Sequence, residues 1–232
     1  MTSTADYARC ALLASLTSLA ACGGGGGGAS PPPPSPPPVA CTSSPPPPPP
    51  TTVSAEPQVT FAVTNGAGVA GTVVLTLNRT AAPVTVTNFL QYVNSGFYNC
   101  TLFHRHAPNF VLQGGGFAAP LTAGGSSPVP KPTQPPIVLE VGRGLSNTAL
   151  SVAMARTNEL NSATSQFFIN LVNNPALDTA SGGYAVFGQV TAGAEVITAS
   201  RNAPCFAWSA FLPSGDCLPS PNIIITAASQ TR

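Results

Sequence analysis

"FHRHAPNFVLQGGG", residues 103–116, gathers both histidines of the chain, an arginine, two phenylalanines, a glutamine and three glycines. The stretch reads as parts of two short strands, 101–106 and 109–114. His104 and His106 lie two apart, which on a strand places both on one face. Two imidazoles without a third ligand make a poor metal site, no CxxC or HxxxH spacing occurs, and the reading is structural histidines with no metal. "GGG" at 114–116 lacks the strand, GxGxxG and helix context of a phosphate cradle, and predicts a sharp turn instead. Arg105 and Gln113 differ in kind. An arginine and a long amide among Phe103, Phe110 and Phe117 look like directed donors on an apolar surface, against the plainer reading of a solvated arginine.

Working outward, the segments on either side are mostly strand-like. "VTFAVTNGAGVAGTVVLTLN" predicts a hairpin around a Gly/Asn turn, with Val73, Leu75 and Leu77 alternating against Thr72, Val74 and Thr76. "APVTVTNFLQYVNSGFY" predicts an amphipathic helix, with Pro83 in its first turn, Val86, Phe89, Leu90 and Val93 on one face, and Gly96 as its stop. Further strands are expected at 149–155, 166–170, 185–190 and 222–228, and a second helix near 193–201. The fold class that follows is mostly β: a closed eight-stranded antiparallel β-barrel capped by two α-helices.

The composition is uneven along the 232 residues. Residues 23–56 are almost wholly Gly, Pro, Ser, Thr and Ala, too poor in bulky apolar groups to offset the entropy of ordering them. Ahead of them, Arg9 and "CALLASLTSLAA" form an apolar stretch too short for a permanent span and suited to a secretory signal. The stretch ends in "LAAC", residues 19–22, which resembles the bacterial lipoprotein box and implies a lipidated Cys22, so three parts are expected: a signal peptide at 1–21, the lipidated Cys22 with a disordered Gly/Pro-rich tether at 22–57, and a folded domain at 58–229. Eight basic against seven acidic residues give a net charge of +1, and the basic residues are scattered singly, so nucleic acid is not expected as a partner. Of the six cysteines, Cys10 leaves with the signal, Cys22 takes lipid and Cys41 sits in the tether. Cys100, Cys205 and Cys217 remain in the domain. A bridge from Cys205 to Cys217 across "CFAWSAFLPSGDC" is the economical pairing in an oxidising compartment. The rival joins Cys100 to one of them and leaves the other free or bonded to Cys41.

Three blocks carry a resemblance to a known family. "FHRHAPNFVLQGGGF" resembles the FHRxxPxFxxQGG signature of cyclophilins, β-barrel peptidyl-prolyl cis-trans isomerases. "SVAMARTNELNSATSQFFINLVNN" at 151–174 and "GYAVFGQVTAGAEVI" at 183–197 resemble the next two blocks of bacterial members, in the same order. The resemblance implies rotation about X–Pro bonds of proline-containing polypeptides, without cofactor, by a monomeric scaffold in which Arg105, Phe110 and Gln113 are catalytic. By the same likeness Met154, Phe168 and Leu177 form the proline pocket, Gln166 and the Ala155–Arg156 backbone contact the substrate strand, and Tyr184 replaces a pocket histidine common in eukaryotic members. Ala176 stands where many members carry Trp or Phe, which thins one flank of the pocket. "LAAC" at 19–22 resembles the bacterial lipoprotein box, implying a lipid anchor in the cell envelope, at the outer membrane facing the periplasm, and a role in folding exported proteins. A catalytically weak proline-binding chaperone or interaction module is the alternative that the same groove allows.

Overall fold

Val59, Phe61 and Val63 alternate along β1 (Gln58–Thr64) and are all buried, as are Val73, Leu75 and Leu77 along β2 (Ala70–Leu77). This period of two is what a half-buried strand requires. The computed structural model describes Cys41, residues 44–121 and residues 128–232. The remaining strands of the wall are β3 (Thr101–Ala107), β4 (Val111–Ala118), β5 (Ser151–Met154), β6 (Phe167–Asn170), β7 (Val186–Ala192) and, after a short pair β8 (Cys205–Phe206) and β9 (Leu218–Pro219), β10 (Ile223–Gln230). Eight of them close in the order β1-β10-β3-β4-β6-β5-β7-β2, every neighbour antiparallel. The fold is the closed eight-stranded barrel with two helices that the sequence predicts. Closure leaves this wall without an unpaired edge.

Helix α1 (Pro83–Asn94) has Pro at its first position and buries Val86, Phe89, Leu90, Tyr92 and Val93. Phe89 packs 4.9 Å from Phe187, 5.1 Å from Tyr98 and 5.5 Å from Phe167, ring centre to ring centre, so the helix is fastened to the barrel by aromatic contact. No side chain of its own caps this helix. Buried Glu140 does so from 55 residues away, accepting from the Thr85 N–H and the Thr85 hydroxyl, each at 2.8 Å, and from the Val84 N–H at 3.3 Å. A carboxylate there satisfies otherwise orphaned donors and meets the positive end of the helix dipole. Helix α2 (Ala194–Arg201) buries Val196, Ile197 and Ser200.

Two expectations are corrected here. The glycines 114–116 do not make a turn; they lie inside β4, where they admit close neighbours. Gly115 has φ +87°, and a Cβ on it would come 2.6 Å from the Ser165 carbonyl oxygen; a Cβ on Gly116 would meet the Gln166 side chain at 2.7 Å. The tether is the second. Cys41 is disulfide-bonded to Cys100, the Ser44 carbonyl accepts from Asn99 Nδ2 at 2.8 Å, and the Ala55 and Pro57 carbonyls accept from the Arg79 and Leu77 N–H groups at 3.0 and 2.8 Å. Residues 44–57 therefore lie against the domain. Prolines forfeit little freedom when fixed, so a crosslink and a few hydrogen bonds hold a segment that could never build its own core. Residues 1–40, with the expected signal peptide and Cys22, lie outside the described residues. Among the described residues no helix is long and apolar enough to cross a membrane.

Glu140→Ala should lower unfolding free energy by about 1–3 kcal/mol, the cost of stranding buried donors. Glu140→Gln should recover part of that loss in urea melts. Equal midpoints for Glu140→Ala and the parent would contradict the capping role.

Candidate active site

Arg105 on β3 pairs directly with Gln113 on β4, Gln113 with Phe168 on β6, and Phe168 with Ala153 on β5. Residues directly opposite one another across antiparallel strands share a face. Their neighbours Leu112, Ile169 and Val152 form the matching row in the central core, so the first row lines the other surface of the same wall. There Phe110, Val111, Phe168, Ala155, Leu177 and Tyr184 form a separate apolar cluster with Ala153. A cavity of about 160 Å³ opens over it, bounded on one side by Arg105 and Gln113.

A chain of hydrogen bonds orders its polar rim. Arg105 Nη1 donates to Gln113 Oε1 at 2.9 Å, and Gln113 Nε2 donates to Gln166 Oε1 at 2.9 Å. Arg105 Nε donates to Asp216 Oδ2 at 2.6 Å, an ion pair in which Arg105 is 23% and Asp216 11% exposed. Arg105 Nη2 has no hydrogen bond to any described residue. Gln166 is a brace for Gln113 rather than part of the cavity lining. Arg156 stacks 4.6 Å over the Tyr184 ring, and its donors are taken by the carbonyls of Thr157, Ser181 and Gly183. It is a strut for the rim. The Ala155 N–H donates to the Gln166 carbonyl.

The pocket walls are held by amides. Asn174 Nδ2 donates to the Phe110 carbonyl at 3.0 Å and to Asn170 Oδ1 at 2.7 Å, and Asn170 Nδ2 donates to Asn147 Oδ1 at 3.0 Å. Asn147 and Ser146 in turn donate to the Asp178 carboxylate, which closes the tight turn Pro175–Asp178 that presents Leu177. Burial alone would raise the Asp178 pKa, but these hydrogen bonds hold it below its usual value. Ala176, on the same turn, is exposed and leaves this flank open.

Met154 is a correction. It is buried in the central core and does not line the cavity, because strand alternation turns Val152 and Met154 inward and Ala153 and Ala155 outward. The sequence reading missed Val111, which does line it; its place two residues before Gln113 on β4 is the signal that would have found it. Cys205 and Cys217 are disulfide-bonded. His106 Nδ1 lies 3.9 Å from Cys217 Sγ, but both sulfurs are spent in that bond. His104 is buried with its ring 4.7 Å from Phe117, and burial followed by the nearby Arg105 charge lowers its pKa to about 3. It stands as a neutral packing residue.

The model of the family described as "Cyclophilin type peptidyl-prolyl cis-trans isomerase/CLD" matches residues 59–228, which run from β1 into β10. This chain belongs to the cyclophilin-type peptidyl-prolyl cis-trans isomerase family. Its cyclophilin domain is 50% identical over 129 residues to peptidyl-prolyl cis-trans isomerase A of Dickeya dadantii, covering 55% of this chain and 64% of that relative. It is 49% identical over 137 residues to the isomerase cyp18 of Streptomyces antibioticus (57% and 78% covered) and 42% over 132 residues to isomerase B of Escherichia coli (55% and 76% covered). Relatives at these identities support peptidyl-prolyl cis-trans isomerase activity. The crystal structure of a cyclophilin-type isomerase from Cryptosporidium parvum shares the fold, with a TM-score of 0.59 at 23% identity over 76% of this chain and 98% of that one.

The buried ring of His104 makes the cyclophilin domain sensitive to acid. The unfolded chain protonates this side chain near pH 6.5 and the folded protein only near pH 3, so stability is complete above the first value and falls as pH drops toward the second. His104→Gln should flatten the decline in Tm between about pH 7 and 5.5, where few carboxylates titrate. An unchanged slope would mean that the ring is protonated in place.

Proposed function

We propose that the protein catalyses rotation about X–Pro bonds of exported polypeptides, through a guanidinium aimed across an apolar pocket. The carrying observation is that Arg105 is fixed through Nε and Nη1 while Nη2 has no partner among the described residues, at the edge of a cavity walled by Phe110, Val111, Phe168 and Leu177. Amide resonance holds the rotation barrier at ~18–20 kcal/mol. The proline ring enters the apolar cavity, and the preceding residues run past the Ala155–Arg156 backbone. As the carbonyl twists out of conjugation, the lone pair localises on the prolyl nitrogen, and an Arg105 N–H donates to it. That bond is strong in the twisted state and weak in either planar state, the condition for catalysis by differential binding. No bond to the protein forms, no proton is exchanged, and the chemistry calls for no metal or cofactor. Gln113 keeps the fork in plane and offers its amide to the substrate backbone.

The setting belongs to the same proposal. Cys22 in the lipoprotein-like "LAAC" takes lipid, and residues 23–40 tether a monomeric domain to the periplasmic face of an outer membrane. The Cys41–Cys100 bond ends that tether at the domain surface. Two disulfides in one small domain fit an oxidising compartment such as the envelope.

Arg105→Ala should lower kcat/KM on a proline tetrapeptide by roughly 10²–10³ in a protease-coupled assay, the scale of removing one directed donor. Arg105→Lys should rescue little, since an ammonium cannot reproduce the planar fork. Activity of Arg105→Ala within about threefold of the parent would end the assignment. Location is tested separately: Cys22→Ser should move the protein from the membrane pellet to the soluble fraction. A Cys22→Ser protein that still pellets in salt high enough to screen surface charge would overturn the anchor.

A further inference from the structure

We propose that Asp216 is a positioning residue for Arg105, held in place by the disulfide-closed loop 205–217; this rests on the isomerase reading of the site. The loop lies beyond the three sequence blocks that resemble the family, yet it reaches the site's central cation. Its carboxylate accepts from Arg105 Nε at 2.6 Å while Gln113 accepts from Nη1 at 2.9 Å. Two acceptors on two different nitrogens fix the plane and the rotation of the guanidinium together, which one acceptor cannot do. Among the described residues, what remains unpaired is the Nη2 edge. An arginine anchored by Gln113 alone would keep rotamer freedom that each turnover must then remove.

The loop is built to deliver that carboxylate. Trp208 and Leu212 are buried against Leu102, Phe117 and Leu218 in a small core of their own. Cys205 and Cys217 are bonded, and the β8–β9 pair zips the loop ends. Cys217, next to Asp216, exchanges both backbone hydrogen bonds with His106, next to Arg105, at 2.8 and 3.0 Å. With His106 held opposite Cys217 in antiparallel pairing, Arg105 and Asp216 are diagonal neighbours on one face, a span that the long arginine side chain bridges. The sequence offers no sign of this contact, since 111 residues separate the partners.

The carboxylate also offsets part of the arginine's charge. Orientation and charge therefore predict opposite effects of Asp216→Asn, and positioning predicts a loss. In the full oxidised chain, Asp216→Asn should lower kcat by about tenfold in NMR exchange measurements on a proline tetrapeptide, with KM within about twofold and Tm unchanged. Gln113 still anchors one nitrogen, which keeps the loss below that of Arg105→Ala. In an Arg105→Ala background, Asp216→Asn should cost nothing further, because its effect passes through the arginine. Cys205→Ser with Cys217→Ser should reproduce the kcat loss in the parent and not in the Arg105→Ala background. An Asp216→Asn protein as fast as the parent, or faster, would overturn the proposal. So would an equal proportional loss in the Arg105→Ala background, which would mark a structural role. A parent that does not isomerise the peptide would overturn the isomerase reading and the inference with it, a result distinct from either of those.

Discussion

Arg105 stands opposite Gln113 across the β3–β4 ladder, and the rest of the site depends on that register. A slip of one residue would turn both side chains to the other face and bring Leu112 out in their place. What prevents the slip is the core: Leu112, Ile169 and Val152 are fully buried on the opposite face, so the interior and the site are specified by the same strands. The register shifts on either side of Phe103 let β3 adjust locally, keeping that ring inside while Arg105 faces Gln113.

A wall that is apolar on both faces needs thin places where side chains from other strands can pass. Gly115 and Gly116 supply them, admitting the β6 segment so closely that Gln166 can reach Gln113. The aromatic core tied together by Phe89 and Phe167 makes this side of the barrel rigid. The outer rim is shaped instead by loops held through polar contacts: the Asn147–Asn170–Asn174 amides, the Asp178 turn, the Arg156 strut and the loop carrying Asp216. A rigid wall under loop-borne groups suits chemistry whose demand is orientation rather than a reactive nucleophile.

Most of the scaffold was legible because it is periodic. Strand alternation at Val59, Phe61 and Val63 and the helical face of Val86, Phe89 and Val93 are local patterns, and eight such strands imply closure. Contacts between distant residues leave no local pattern. Glu140 capping α1, Cys41 bonded to Cys100 and Asp216 holding Arg105 each join segments at least 55 residues apart. The glycine run was misread because a turn and a close approach ask for the same residue. Met154 was misplaced because likeness to a family carries residue types, while strand parity decides which face a side chain takes. The parity was available: Val152 and Met154 alternate with Ala153 and Ala155.

An isomerase groove must lower a rotation barrier rather than merely grip proline. Two-dimensional exchange spectroscopy on a tetrapeptide, with a small fraction of the protein added, reads that directly. Without catalyst, cis and trans forms exchange over tens to hundreds of seconds and give no cross peaks on the spectroscopic timescale. Catalysis predicts cis–trans cross peaks at protein concentrations far below the peptide's. Peptide resonances that shift or broaden on binding while the isomers fail to exchange would contradict it, and would leave a proline-binding module in place of an enzyme.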